Sequence, residues 1–105
     1  MTDKILVLST SDSAEQAREI ARGLVEKRLA ACVNVVPGIR SIYRWQGKME
    51  ETGEHLLVIK SRRDLFERLQ RELEQMHSYE VPEVIAMPVA EGSADYLAWL
   101  DRQLG

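Results

Sequence analysis

Residues Ala31–Ser61, ACVNVVPGIRSIYRWQGKMEETGEHLLVIKS, constrain this chain more than any other stretch. Both halves are rich in β-branched, aromatic and aliphatic residues, and Gln46-Gly47 stands between them as the two-residue loop of a tight hairpin. A turn centred there sets Trp45 opposite Lys48, Tyr43 opposite Glu50 and Val35 opposite Val58, until a bulge intervenes. Pro37-Gly38 is the expected bulge or kink, because proline cannot donate to a ladder and glycine tolerates the strained backbone. Each arm then holds about fourteen residues at roughly 3.3 Å each, a length on the order of 45 Å. A compact chain of this size has a radius of gyration of about 13 Å, and ordinary strands hold about 5–6 residues. The ribbon must overhang its own domain. Its far end carries Ile42, Tyr43, Trp45 and Met49, an exposed apolar patch with two open edges. Cover from neighbouring subunits is the economical resolution, so the sequence predicts an obligate oligomer with these four residues at the interface.

At 105 residues the chain predicts one domain, residues 1–105, large enough for a real core. Hydrophobic content of 45% and charged content of 30% exclude a disordered chain. The net charge of −3, with both signs interspersed, does not favour a nucleic-acid partner. No apolar run approaches the ~18–20 residues that span a bilayer, so no membrane partner is expected. The single Cys32 excludes an internal disulfide and suits a reducing compartment. The start, MTDKILVLST, lacks the pattern of a secretion signal. A cytoplasmic protein is expected.

Lys4–Thr10 is a continuous apolar run with the character of a strand buried on both faces. Ser13 and Gln16 form a capping-box pattern ahead of Ala14, Ala17, Ile20, Ala21, Leu24, Val25 and Leu29, which recur at helical spacing. After the hairpin, Asp64 and Glu67 suggest a second capping box. The helix it opens carries Leu65, Phe66, Leu69, Leu73 and Met76 on one stripe and ends near His77. Glu80–Glu83 breaks regular structure, Val84–Val89 reads as a short strand, and Gly92-Ser93 introduces a last helix. That helix is expected to turn Tyr96, Leu97, Leu100 and Leu104 inward, with Trp99 partly so. The order β-α-β-β-α-β-α predicts an α+β fold: a ferredoxin-like βαββαβ sandwich with an extra C-terminal helix and a long β-hairpin. Two helices cover one sheet face. The other face has no cover of its own unless the last helix reaches it, a second reason to expect association.

Taken together, several segments resemble the CutA family. They are Glu26–Asn34 (EKRLAACVN), Pro37-Gly38, Ser41–Lys48 (SIYRWQGK), Leu56–Lys60 (LLVIK), His77–Glu83 (HSYEVPE) and Tyr96–Leu100 (YLAWL). The resemblance covers nearly the whole chain. It implies a ferredoxin-like fold and a homotrimer whose long hairpins embrace adjacent subunits, so the expected partner is the chain itself. It also implies divalent-cation tolerance, with copper binding as the proposed activity. Some family members carry proposed copper ligands, a cysteine at the end of the first strand and adjacent histidines before the Tyr-x-x-Pro-Glu segment. The corresponding positions here are Ser9, Met76 and His77.

His77 keeps a strong ligand, and the Met76 thioether suits Cu(I), although it also lies on the apolar stripe of its helix. Cys32 is the only thiol and lies near the hairpin's root, where packing as a small hydrophobe is the plainer role. His77, Met76 and Cys32 are the candidate metal ligands, for copper or another divalent cation. One Cys and two His cannot close a structural zinc site within one chain, which leaves a site assembled across subunits or, ahead of it, a weak, adventitious one at His77. His55, beside Gly53 and Glu54, reads as a solvated strand residue. A second constellation, Lys60, Tyr79 and Glu83 with Glu80 beside them, predicts a polar ligand cleft. It leads to an alternative function, a trimeric signalling or sensor module binding a small anionic metabolite in intersubunit clefts. Such a module would resemble the nitrogen-regulatory signal-transduction proteins in fold and trimeric habit. No nucleophile elbow, phosphate-binding glycine loop or Cys-His pair points to an enzyme. RNA binding on the sheet would need exposed aromatics on its central strands, and Lys4–Thr10 has none.

Overall fold

The apolar run at the start forms β1 (Lys4–Ser11), an inner strand of a four-stranded sheet in the computed structural model, which describes all residues Met1–Gly105. The remaining elements are α1 (Ala14–Glu26), β2 (Cys32–Trp45), β3 (Lys48–Arg62), a 3-10 turn (Arg63–Leu65), α2 (Phe66–Met76), β4 (Ile85–Pro88) and α3 (Ala94–Gln103). The strand order is β2-β3-β1-β4 and every pairing is antiparallel, the ferredoxin-like arrangement. No helix is long and apolar enough to cross a membrane.

Alternation divides the sheet into two unlike faces. Ile5, Val7, Leu57 and Ile59 point into the core, where they meet Ala17, Ile20 and Leu24 of α1 and Leu69 and Leu73 of α2. On the opposite face, Leu6, Leu8, Leu56 and Val58 are only half-buried, and Val36, Ile85 and Met87 are exposed. The last helix reaches this face at one end only. Asp101 bonds Arg62 Nη1 at 2.9 Å and lies 3.4 Å from Lys4 Nζ. Arg62 first, then Lys4, holds the Asp101 carboxyl below the usual carboxylate range, while the bonds that Lys4 donates to Asp3 and then to Asp101 hold its ammonium above its ordinary value. Leu100 and Leu104 are buried, as the helical spacing requires, but Tyr96 is exposed and stacks on Trp99 at 5.6 Å between ring centroids.

The hairpin is as long as its sequence predicts, with arms of 14 and 15 residues. Gln46 (φ 50°) and Gly47 (φ 79°) are both left-handed, the signature of a type I′ turn whose twist matches the flanking strands. Trp45 pairs with Lys48 and Tyr43 with Glu50. The register slips between Val36 and Ile39, where Pro37 and Gly38 (φ 78°) oppose the single residue His55. Because of that slip, Val35 faces Leu57, not Val58. The molecule measures 45 × 25 × 23 Å with a radius of gyration of 14.2 Å, so the ribbon stretches it along one axis.

Ends of elements depart from the sequence pattern in small ways. Ser13 caps α1 by accepting from Gln16 N at 3.1 Å, but the Gln16 side chain accepts from Ser11 Oγ and does not return to Ser13. The helix stops at Glu26, and Arg28 (φ 58°) turns the chain so that Leu29 enters the core from outside the helix. Asp64 caps nothing, because its carboxylate is bonded to Arg62 Nε at 2.7 Å. The last strand is Ile85–Pro88, shorter than Val84–Val89 by one residue at each end.

Candidate functional site

The site begins where the sheet becomes uneven. β1 ends at Ser11 opposite His55, so β3 and β2 run on past it as an unsupported ribbon. The segment that follows α2 fills this step. His77 is buried there, and its ring ties the segment down. Nε2 donates to the Thr10 carbonyl at 2.6 Å, because Nδ1 is already the acceptor for Tyr79 N–H at 3.1 Å. The His77 and Tyr79 rings lie 4.5 Å apart between centroids. Thus braced, Tyr79 donates its hydroxyl to Glu54 Oε2 at 2.5 Å.

Glu54 is the residue that the sequence did not single out. It is only 6% exposed, and the Tyr79 bond is its sole side-chain partner among the hydrogen bonds and ion pairs of this region. Burial first, then the bond to and charge of Glu54, holds the Tyr79 phenol far above its ordinary value, so the hydroxyl keeps its proton. Around this pair opens a cavity of about 700 Å³. The hairpin contributes Ser41, Ile42, Tyr43, Trp45 and Glu54, β1 contributes Thr10, and the loop contributes Tyr79, Glu80, Val81 and Glu83. Three carboxylates line it and no lysine, arginine or histidine does.

Within one chain the residues of the predicted ligand cleft divide between two places. Tyr79 and Glu83 line one cavity, but Lys60 stands six positions along β3 from Glu54, roughly 20 Å away by strand rise. Its ammonium bonds Asn34 Oδ1 and lies 3.9 Å from Cys32 Sγ across the β2–β3 ladder. An acidic lining repels the small anion that Lys60 was expected to hold. Three of the four predicted interface residues, Ile42, Tyr43 and Trp45, form part of the cavity wall, while Met49 lies at the exposed tip.

The candidate metal ligands do not converge within the chain. Both nitrogens of His77 are engaged as described. The Met76 sulfur packs against Gly23 of α1, where an added Cβ would come within 3.0 Å of it. Cys32 is half-buried on the opposite sheet face beside Lys60. No three His, Cys, Asp or Glu side chains come together in a metal-binding group. Ser9 is fully buried on the core face with its Oγ unpaired. His55 is half-buried, with Nδ1 out of reach of solvent and of hydrogen-bond partners, unlike the solvated residue expected.

Comparison with known proteins places this geometry. The family model described as CutA1 divalent ion tolerance protein matches residues 5–103. The divalent-cation tolerance protein CutA of Thermus thermophilus is 51% identical over 100 residues, which cover 95% of this chain and 97% of that protein. The chloroplastic protein CutA of Arabidopsis thaliana is 47% identical over 96 residues, 91% of this chain but 53% of the plant protein. The chain thus spans about half the length of several plant and animal relatives. A crystal structure of CutA from Xylella fastidiosa superposes with a TM-score of 0.96 at 40% identity, covering 99% of this chain and all of that one. A match along nearly the whole length, in both sequence and fold, shows that the chain belongs to the CutA family of divalent-ion tolerance proteins.

Proposed function

We propose that the protein is a non-enzymatic, cytoplasmic homotrimer that contributes to divalent-cation tolerance, with copper or another divalent cation held between subunits. The overhanging ribbon carries this reading. Ile42 is 65% exposed and Met49 71% exposed in the single chain, beside an apolar sheet face that the last helix reaches at one end only. Burying such surface stabilises at roughly 25 cal/mol per Å², so association has an evident driving force. Three copies, as against two, is the arrangement that the family resemblance implies. Cys32 stands on the sheet face that association would cover, which supports a metal contact drawn from more than one subunit. His77 serves the loop instead, because both of its nitrogens are occupied. The alternative reading, a sensor of a small anionic metabolite, finds no cation in the cavity to support it.

Light scattering tests the assembly. The expected mass is three times the chain's 12.0 kDa, and a 12.0 kDa particle at micromolar concentration overturns it. Titration with Cu(I) and Cu(II) tests the metal contact on wild type, Cys32→Ser and His77→Ala. Loss of binding in Cys32→Ser with unchanged stoichiometry in His77→Ala is the expected result. Unaltered binding in Cys32→Ser removes Cys32 from the site.

A further inference from the structure

A methionine sulfur closes the seam between the two helices on the core face of the sheet. Gly23 of α1 has no side chain, and the Met76 thioether fills the notch this leaves. An added Cβ there would lie 3.0 Å from Sδ and 3.3 Å from Cε. Four residues on in α1 and four back in α2, Lys27 and Glu72 pair across the same seam, so the helices run antiparallel along it. Met76 is half-buried and packs against the core, whereas Met1, Met49 and Met87 are exposed. Position makes the contact consequential. Met76 is the last residue of α2, and His77 follows it directly. The His77 ring donates to the Thr10 carbonyl and accepts from Tyr79 N–H, while Ser78 Oγ donates to Gln16 Oε1 of α1 at 3.3 Å. The seam and the start of the loop are thus held by one set of contacts. Both helices lie on the sheet face away from the one that we propose copies cover, so these contacts do not depend on association.

We propose that Met76 is a redox-sensitive bolt between α1 and α2, opened when hydrogen peroxide oxidises its thioether to the sulfoxide. A sulfur lone pair attacks one peroxide oxygen, and an S–O bond forms as the O–O bond breaks. The hydroxide released takes the proton from the new S–OH group and leaves as water, so sulfur loses the two electrons that peroxide gains. The sulfoxide is bulkier and more polar than the thioether, and the fit against Gly23 leaves no room for its oxygen on that side. The side chain turns toward water and the seam loses its apolar contact. The displacement passes through one peptide bond to the His77 bonds that hold the loop. Neither the trimer nor a bound metal is required.

The test is hydrogen peroxide titrated into the full chain, carrying Cys32→Ser to remove the thiol and with a chelator present to exclude metals. Peptide mass spectrometry locates the added oxygen, and amide hydrogen exchange reads the consequence. Oxidation of Met76 should speed exchange at Tyr79 N–H tenfold or more while Ile59, in the core strand, keeps its rate. Methionine sulfoxide reductases should restore slow exchange. Met76→Leu fills similar space and cannot take up oxygen, so peroxide should leave its Tyr79 exchange as it was. Gly23→Ala tests the fit without any oxidant. Alanine favours the helix in isolation, yet its Cβ must displace the sulfur, and faster exchange at Tyr79 N–H is expected. Resistance of Met76 to peroxide that fully oxidises Met1 overturns the proposal. So does unchanged Tyr79 exchange once Met76 is oxidised, an equal peroxide response in Met76→Leu, or unchanged or slower exchange in Gly23→Ala. Acceleration throughout the chain, Ile59 included, is general unfolding and overturns it too.

Discussion

The two ends of the β2–β3 ribbon are built from similar residues and live in different surroundings. At the root, Leu57 and Ile59 are fully buried beneath α1 and α2. Beyond the bulge at Pro37-Gly38, Ile42, Trp45 and Met49 are in the open. Apolar character alone therefore does not say what a residue packs against. At the root it specifies the fold of one chain, whereas at the tip it leaves apolar surface exposed, the surface that we propose other copies cover. The end of β1 at Ser11 divides the two, because a strand without a neighbour on one side has no sheet to support it.

The sharpest way to break this comparison is to truncate one residue at each end. Leu57→Ala removes core contacts and should cost about 2–5 kcal/mol of folding stability, read as a lowered denaturation midpoint. Trp45→Ala should leave the far-ultraviolet circular dichroism unchanged yet weaken association tenfold or more by light scattering against dilution. Arg18→Ala, on the exposed side of α1, should leave association as it is. Equal dissociation midpoints for Trp45→Ala and Arg18→Ala would erase the distinction between root and tip.

A smaller effect sharpens the boundary between them. Tyr79→Phe takes the only side-chain donor from buried Glu54 and should cost roughly 1–3 kcal/mol. Its pH signature has a definite sign. The folded state holds the Tyr79 phenol above its ordinary value of 10.0, so the unfolded chain loses this proton first as pH rises. Stability from Tyr79 is complete below pH 10.0 and declines as pH climbs from there toward the raised folded value. Denaturant titrations from pH 8 to 11 should show this decline in wild type and a flatter limb in Tyr79→Phe. Parallel limbs would show that Tyr79 is not protected by Glu54.

The fold was legible because its signals are local. Gln46-Gly47 and Pro37-Gly38 declare a turn and a bulge within a few residues, and the helices declare themselves by spacing. The opposition of Val35 and Val58 failed for a related reason, since one extra residue in the bulge advances every later pair by one. The site was less legible. Tyr79 and Glu83 were visible as a polar loop, but Glu54 looked like one more charge on a strand. Lys60 lies on the same strand as Glu54, and six residues of extended chain separate the two.

From the sequence alone came the element order, the long ribbon, its turn and bulge, and the exposure of its apolar tip. Each is a consequence of residue type and period over a short span of chain. Only the tertiary structure decided that Thr10 would hold His77 from 67 positions away and that Tyr79 would meet Glu54 from 25 positions away. The same packing set Lys60 beside Cys32, far from both. Those meetings depend on which strands lie side by side and where β1 stops, and no local pattern encodes either.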